Sequence, residues 1–597
     1  YRCVTGRGDS MGRRMDWERA GKTRLTRRRF LGTAAAAAAT AATATACGGG
    51  GQKPSATSTG DRSATAGDTR PATTSTRTPA QIERLGETLR YSGYVIGDGV
   101  WDPHRTQAGP FYGQQALVMS RLLAYADQAE ARIVPDLAVA RPERPDAQTV
   151  IFRLNPGARW KGKPPLEGRA VSSEDVKRSI ERQISGDLTF VRRARWAVVD
   201  SVDAPGPLDL VVKLKTPFAN AEGMFADVNS FIIPAELATD DQAFSATTQP
   251  GSGPFTWVEW REGDFASVRR NPAWHGGQSR PYLEGISLLQ PKNPDAIEAG
   301  LRTKQLDAAF VGRPVADRLR KGIPQLVESQ AGHSLFFGSR FFLPQVPYDD
   351  ARFRGAISIA LDRRAMVDGF FAGSGDVNPW ISWPAKRWTL PQSELTGFPG
   401  YRAGSGGREA DIAEARSLLA AFSAEKSVPA EIPLFVERVA ETNLRLGSVI
   451  SEQLQKNLGL TVRVYSVALG ELIRRMFAGE APWVAGSDNG WIDLDDWVYP
   501  YFHSAGTNNS FPLRDESLDR LIESQRTELD EAARRNIGFE IQRKLLGLHA
   551  GLNFCSERLI SLQWPYVKDF PLDTADGYQH RFADTWIDRN EATFRGR

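Results

Sequence analysis

A large α/β body is predicted from Gln81 onward, and three observations predict it. Short apolar strands and amphipathic helices alternate along the chain. One stretch, Glu431–Val467, reads as strand, helix, strand, which is the unit of a parallel sheet. The 597 residues are 41% apolar, enough to bury a core, and no run after the leader is long enough to span a bilayer. On length alone such a body divides into about three domains.

The elements follow in order. Gln148–Leu154 alternates, with Val150, Phe152 and Leu154 on one face of a strand, and Leu208, Leu210, Val212 and Leu214 repeat the pattern. Between them, Ser172 or Ser173 caps a helix that continues through Ile180. Gly251-Ser252-Gly253-Pro254 reads as a turn into a strand at Phe255–Trp260. It is a poor phosphate loop, because Pro254 has no backbone N–H to donate. Glu431–Val436 is the first strand of the crossover. Its helix carries Leu446, Val449, Ile450, Leu454 and Leu458 on one stripe and stops at Gly459; Thr461–Val467 is the second strand. Helices near Glu516–Arg526 and Glu531–Gly547 close the series, and no solenoid repeat is visible.

The leader carries an address. Thr26-Arg27-Arg28-Arg29-Phe30-Leu31-Gly32 precedes a run of alanine and threonine, then Ala44-Thr45-Ala46-Cys47-Gly48. Arg27, Arg28, Phe30 and Leu31 resemble a twin-arginine export signal. Cys47 after small residues resembles a lipobox, so residues 1–46 read as a removable signal and Cys47 as a lipidated anchor. Met11 and Met15 are possible starts, which leaves residues 1–10 upstream of translation. Residues 48–79 are Gly, Ser, Thr, Ala and Pro with few large apolar groups. They form a disordered tether reaching roughly 30 Å. The expected location is the extracytoplasmic face of the membrane, or the periplasm.

Charge and cysteine usage exclude several classes. Residues 1–46 hold ten basic and three acidic side chains, so the net +4 of the whole chain leaves −3 from Cys47 onward. No nucleic-acid footprint is expected from a mixed, slightly acidic body. Cys3, Cys47 and Cys555 show no metal spacing, and the six histidines are dispersed, so neither a metal nor another cofactor is expected. From Gln81 onward there is no Gly-x-Ser-x-Gly elbow, no His-Glu-x-x-His and no phosphate loop, which argues against an enzyme.

Aromatic residues crowd the stretch from Phe336 to Phe502. Trp380, Trp383, Trp388, Trp483, Trp491 and Trp497 fall in loop-like segments rich in Pro, Gly and Asp. Flat rings on loops suit a ligand cleft, so two or three of them are expected to line one, while the rest fill the core.

Several motifs in order resemble one family. They are Pro135-Asp136-Leu137-Ala138, Pro156-Gly157-Ala158-Arg159-Trp160 and Ala170-Val171-Ser172-Ser173-Glu174-Asp175-Val176. Gly251-Ser252-Gly253-Pro254-Phe255, Arg270-Asn271-Pro272, Tyr348–Arg354 and Ala360-Leu361-Asp362-Arg363 follow. Each is weak alone, but their common order over roughly Leu85 to Phe570 resembles the family 5 extracellular solute-binding proteins of ABC importers. That group includes oligopeptide-, dipeptide- and nickel-binding proteins.

The resemblance implies a bilobed periplasmic-binding-protein-like fold of type II with an extra inserted subdomain and a ligand cleft between lobes. Residues 81–332 would be lobe 1, with the insert at about 111–235. Residues 333–552 would be lobe 2, and 553–597 would return to lobe 1. The chain would cross near His333–Phe342 and return near Asn553–Leu562. In peptide-binding members an acidic residue in an aromatic-acidic loop meets the peptide amino group. The matching region is Gly490-Trp491-Ile492-Asp493-Leu494-Asp495-Asp496-Trp497, one residue shorter than usual, with Asp496 where proline is expected. Asp493 and Asp495 are therefore both candidates. Trp491 is the foremost stacking contact, followed by Trp380 and Trp383, and Arg387 is an anion partner.

The expected function is a lipid-anchored, monomeric receptor that delivers peptides to an ABC permease and its ATPase. An oligosaccharide receptor of the same fold and a ligand-presenting sensor are the alternatives; a secreted enzyme is third.

Overall fold

Period-two alternation supplies the strands. Along the chain they are β1 (Thr88–Ser92), β2 (Leu123–Asp127), β3 (Arg132–Pro135), β4 (Glu143–Asp146), β5 (Thr149–Arg153), β6 (Val199–Gly206) and β7 (Asp209–Leu214). There follow β8 (Phe255–Arg261), β9 (Phe265–Arg270), β10 (Gly285–Leu289), β11 (Ala308–Val311), β12 (Val327–Phe341) and β13 (Gly375–Val377). The last are β14 (Ile432–Glu437), β15 (Val462–Val467), β16 (Trp483–Asn489), β17 (Gly551–Gln563), β18 (Val567–Lys568) and β19 (Trp586–Ile587). The structure is a computed structural model. It describes residues 83–95, 100–106, 109–161, 166, 168–186, 189–240, 244, 250–277, 279–382, 385–438, 441–572 and 577–597. Arg27, Arg28, Phe30, Leu31, Cys47 and Trp383 lie outside the described residues.

One 11-stranded sheet runs in the order β15-β14-β16-β12-β17-β11-β1-β10-β9-β8, with β13 beside β17. A separate four-stranded sheet runs β4-β5-β7-β6. The two longest strands, β12 and β17, pair antiparallel and join the halves of the large sheet. On one side β17 reaches β11, with Ala308 opposite Gln563. On the other β12 reaches β16, with Leu335 opposite Asn489. The β12–β17 register breaks between Gly332 and Phe336.

Each half has its own core. Leu89, Ile286, Leu288, Ile560 and Leu562 pack the first half. Val150, Phe152, Leu210, Val212 and Leu214 pack the four-stranded sheet. Phe341, Leu434, Ile450 and Trp483 form one core of the second half, and Trp388, Leu494, Leu518 and Leu545 form another. Fully burying each such side chain stabilises the fold by about 1.5–3 kcal/mol.

Local signals explain several elements. Val150, Phe152 and Leu154 share the buried face expected of them. The helix Ser173–Ser185 starts where Asp175 accepts the Ser172 N–H at 2.8 Å. The crossover forms with β14 and β15 parallel, Ile432 opposite Val462, and Leu446, Ile450 and Leu454 of the Glu441–Leu458 helix buried against them. Gly459 ends that helix at φ +71°, a conformation glycine adopts without a Cβ penalty. A Cβ on Gly251 or Gly253 would collide with the backbone of Val118, so the turn before β8 needs glycine for close approach.

The Ala360–Arg363 motif is structural. Asp362 caps the helix Arg363–Phe371 by accepting the Ala365 N–H at 2.9 Å. Arg363 is buried and donates to the carbonyls of Ser358, Gly400 and Asn553, tying that helix to β17. Among the described residues no helix is long and apolar enough to cross a membrane.

Candidate functional site

The region around Trp491 is a turn followed by a helix cap. The chain leaves β16 at Asn489, and the Gly490 N–H donates to the Ser334 carbonyl at 2.8 Å. Ser334 lies inside the register break of β12. Asp493 then caps the helix Leu494–Phe502, its carboxylate accepting the Asp495 N–H at 2.9 Å. Asp493, Asp495 and Asp496 are 2%, 4% and 6% exposed, so each ionised carboxylate requires a partner.

Their partners differ. Both oxygens of Asp493 accept from Arg534, at 2.6 and 2.9 Å. Burial acts to raise the Asp493 pKa, but the Arg534 charge and its hydrogen bonds hold it below the usual carboxylate range. Asp495 accepts from Gln525 Nε2 at 2.6 Å and lies 3.1 Å from Arg526. Burial raises its pKa, with Arg526 opposing. Gln525 Oε1 accepts in turn from Arg534, which joins both carboxylates into one closed network.

Asp496 faces the other way. It lies 3.1 Å from Arg195, which comes from the short helix Arg193–Trp196 beside the four-stranded sheet. Arg195 also approaches Asp227 to 2.5 Å, and Arg192 chelates Asp227 at 2.9 and 2.7 Å. Burial pushes the Asp496 pKa up to about 7 against the pull of Arg195 and Arg192. Asp227 is depressed to about 2, because two guanidinium groups overcome its burial. Arg195 has its Nε and Nη1 buried without a well-aligned hydrogen-bond acceptor.

Trp491 stands at the seam. It packs against the cores of both the four-stranded sheet and the second half. The Arg192 guanidinium sits 3.9 Å from its ring centroid, and its Nε1 donates to Tyr501 Oη at 3.4 Å. On one side of the ring a cleft of about 460 Å³, counted with its open mouth, is lined by Tyr125, Ser334, Asn489, Tyr578, Arg195 and Asp496. On the other a cleft of about 440 Å³ is lined by Arg192, Asp495, Tyr499, Asn508 and Arg526. Arg195, Trp491 and Asp496 wall both.

A carboxylate that is shared with one arginine but not chelated can accept a ligand cation. Arg195 can donate to a ligand carbonyl or carboxylate, and the Trp491 ring offers a stacking surface. Among the described residues no group of three His, Cys, Asp or Glu side chains is placed to hold a metal ion.

The residues singled out from sequence are therefore scattered. Trp491 is at the cleft. Asp493 is not a free ligand carboxylate, because Arg534 occupies it. Asp495 borders the smaller cleft but is held by Gln525 and Arg526. Trp380 is a core residue, edge-on to Phe502 at 4.9 Å, and borders a different cavity behind it. Arg387 pairs with Glu531 at 3.3 Å and lines a third cavity. Of the other tryptophans expected in loops, Trp483 opens β16, Trp497 lies in the helix Leu494–Phe502 and Trp388 ends a 3-10 turn, and all three are buried.

Sequence reasoning missed Arg192, Arg195 and Asp227, and noted Asp496 only as a departure from a pattern. The run Val191-Arg192-Arg193-Ala194-Arg195-Trp196, with its charges set between apolar residues, was the available signal.

Comparisons with known proteins bear on the family and the fold. A family model for bacterial extracellular solute-binding proteins, family 5 Middle, matches residues 132–510. A Brucella ovis protein named as a candidate ABC transporter peptide-binding protein is 27% identical over 262 residues, 42% of this chain and 47% of its own. The chain thus spans about half the length of that relative. Among solved structures, the periplasmic binding protein DppA from Helicobacter pylori, in complex with the peptide STSA, has a TM-score of 0.71 at 17% identity. The match covers 86% of this chain and 100% of that one. The oligopeptide-binding protein AppA from Bacillus subtilis, in complex with a nonapeptide, has a TM-score of 0.70 at 17% identity, covering 84% and 99%. The mixed α/β fold is that of these periplasmic binding proteins.

Proposed function

We propose a function from one premise: the chain belongs to the bacterial extracellular solute-binding proteins of family 5, a family of binding proteins rather than enzymes. It is the receptor of an ABC importer, capturing peptides and delivering them to a membrane permease whose ATPase subunits supply the energy. One observation carries the ligand assignment. At the seam beside Trp491, a carboxylate held by a single ion pair, Asp496, and the guanidinium of Arg195, which it shares with Asp227, wall one cleft. That arrangement suits a zwitterionic backbone, with the ammonium at Asp496, a carbonyl or carboxylate at Arg195, and a flat peptide plane on Trp491. DppA and AppA, which share the fold, hold peptides.

Lobe 1 is assigned to residues 81–332 with residues 553–597, its insert to about 111–235, and lobe 2 to 333–552. The twin-arginine route through Arg27 and Arg28 exports the folded protein, and lipid on Cys47 anchors it.

Native mass spectrometry of the protein purified from its own host tests the ligand. A heterogeneous set of short peptides supports the reading. A single sugar or metal chelate overturns the peptide assignment and leaves a binding protein. Cys47→Ala is expected to move the protein from the membrane fraction to the soluble one; retention at the membrane defeats the anchor.

A further inference from the structure

Trp380, singled out from the sequence, borders a cavity that shares no lining residue with the two clefts beside Trp491. It measures about 730 Å³ with its open mouth, against about 460 and 440 Å³ for those clefts. Its walls come from the helices Ala351–Ala360, Gly404–Ser423 and Glu531–Leu548, the turn at 398–401 and the start of β17. Trp380, Phe398, Leu418 and Leu546 supply apolar surface.

Three polar residues of the lining set its chemistry. Asn553 is 2% exposed. Its Nδ2 donates to the carbonyls of Pro379 at 3.1 Å and Trp380 at 2.8 Å, which fixes the orientation of the amide, and its Oδ1 is buried with no donor. An acceptor cut off from water is costly until a donor reaches it. Arg363 has no carboxylate partner among the described residues: its Nε and Nη1 donate to the carbonyls of Asn553, Ser358 and Gly400. Its Nη2 makes one bond, to Ser358 Oγ at 3.1 Å, and carries a second N–H. His549 is neutral, because burial and then the charges of Arg363 and Arg354 lower its pKa to about 4. Its ring adds one donor and one acceptor. Glu414, also in the lining, is paired with Arg402 at 2.7 Å.

These groups select a class of ligand. A cation would meet the charges of Arg363 and Arg354, and an anion would meet the Asn553 oxygen and Glu414. A hydroxyl both donates and accepts, so it answers the Asn553 acceptor and the Arg363 donor alike. Apolar walls with a few polar groups are the usual make-up of a small-molecule site of this size. We propose that this cavity is a second ligand site, which holds an uncharged polyol of monosaccharide size with one hydroxyl donating to Asn553 Oδ1. The inference is independent of the peptide reading of the Trp491 cleft.

Calorimetry on the full chain tests it at about pH 6, with glucose, anionic glucuronate and cationic glucosamine as probes. Glucose is expected to bind, and the two charged sugars at least about tenfold more weakly, since each would bury a charge without a counter-ion. Asn553→Ala is expected to weaken glucose binding about tenfold, the loss of one buried hydrogen bond. That variant also releases the Pro379 and Trp380 carbonyls, so Leu418→Trp is measured beside it. This second change keeps the Asn553 bonds, fills the cavity from another wall, and is expected to abolish glucose binding with the circular dichroism spectrum unchanged. A crystal soaked in glucose is expected to show the sugar against Asn553. Ordered water alone in that crystal, or no binding of glucose in solution, overturns the site. Glucose binding that survives both variants lies elsewhere on the protein and overturns it as well. Equal affinity for either charged sugar overturns the assignment to an uncharged ligand.

Discussion

Asp493 and Asp496 lie three residues apart at the start of one helix, and they do opposite things. Asp493 is chelated by Arg534 and joined through Gln525 to Asp495, a network closed on itself. Asp496 has a single ion-pair partner, Arg195, which belongs to the four-stranded part of the molecule and which also serves Asp227. The first carboxylate is held in its charged form by its surroundings. The second is held near neutrality by burial, with a pKa of about 7. A saturated pair gives structure, and an unsaturated one leaves binding capacity; chemical type alone does not separate them.

The contrast can be broken most forcefully from the closed side. Arg534→Ala leaves the Asp493 carboxylate buried and unpaired, and is expected to destabilise the fold by about 3–5 kcal/mol. Urea denaturation measures it. A loss within the noise of the measurement would mean that the Asp493 network is not structural.

The open side responds to protons. Asp496 has an ordinary pKa of 3.8 and a folded value of about 7, so the native state holds an extra proton between these limits. By linkage this group makes the fold more stable as pH falls from about 8 toward about 4. Asp227, depressed to about 2, works in the reverse sense: its stabilisation is present above 3.8 and is lost as pH falls through about 2. With a ligand ammonium at Asp496, as proposed, binding would follow the ionised form of that carboxylate. Affinity for a peptide with a free amino terminus is expected to drop about tenfold from pH 8 to pH 6, the change in ionised fraction for a group titrating near 7. Asp496→Asn should bind more weakly and flatten the profile. An unchanged slope in that variant assigns the titration to another group.

Trp491→Ala sharpens the comparison with the smallest expected effect. It removes the ring between the two clefts and is expected to weaken peptide binding by at least about 1 kcal/mol. Unchanged affinity in calorimetry removes Trp491 from the site.

What was legible in the sequence was local. The alternation of Val150, Phe152 and Leu154, the cap before Glu174, the crossover at 431–467 and the stop at Gly459 depend on neighbours within a few residues. The loop composition around Trp491 likewise marked it as a cleft-lining ring rather than a core one. The charge pairing was not. Asp496 meets Arg195 some 300 residues earlier in the chain, and Asp493 meets Arg534 from a helix two elements later. Nothing in the spacing of Asp493 and Asp496 says which finds a bidentate partner. The tryptophans show the same limit: Trp380 and Trp491 sit in similar loops, yet one is wedged against Phe502 and the other stands between two clefts.

The break in β12 carries a mechanical consequence. From Gly332 to Phe336 the chain takes four steps, while its partner covers the same interval from Arg558 to Ser556 in two. The surplus is backbone that β17 leaves unpaired where the two halves of the sheet meet, while Leu335 within it still pairs with Asn489 of β16. Ser334 lies in that interval, borders the cleft beside Trp491 and accepts the Gly490 N–H at its carbonyl. A twist between the halves would bear on this irregular interval, and the Ser334–Gly490 bond ties it to the loop carrying Trp491.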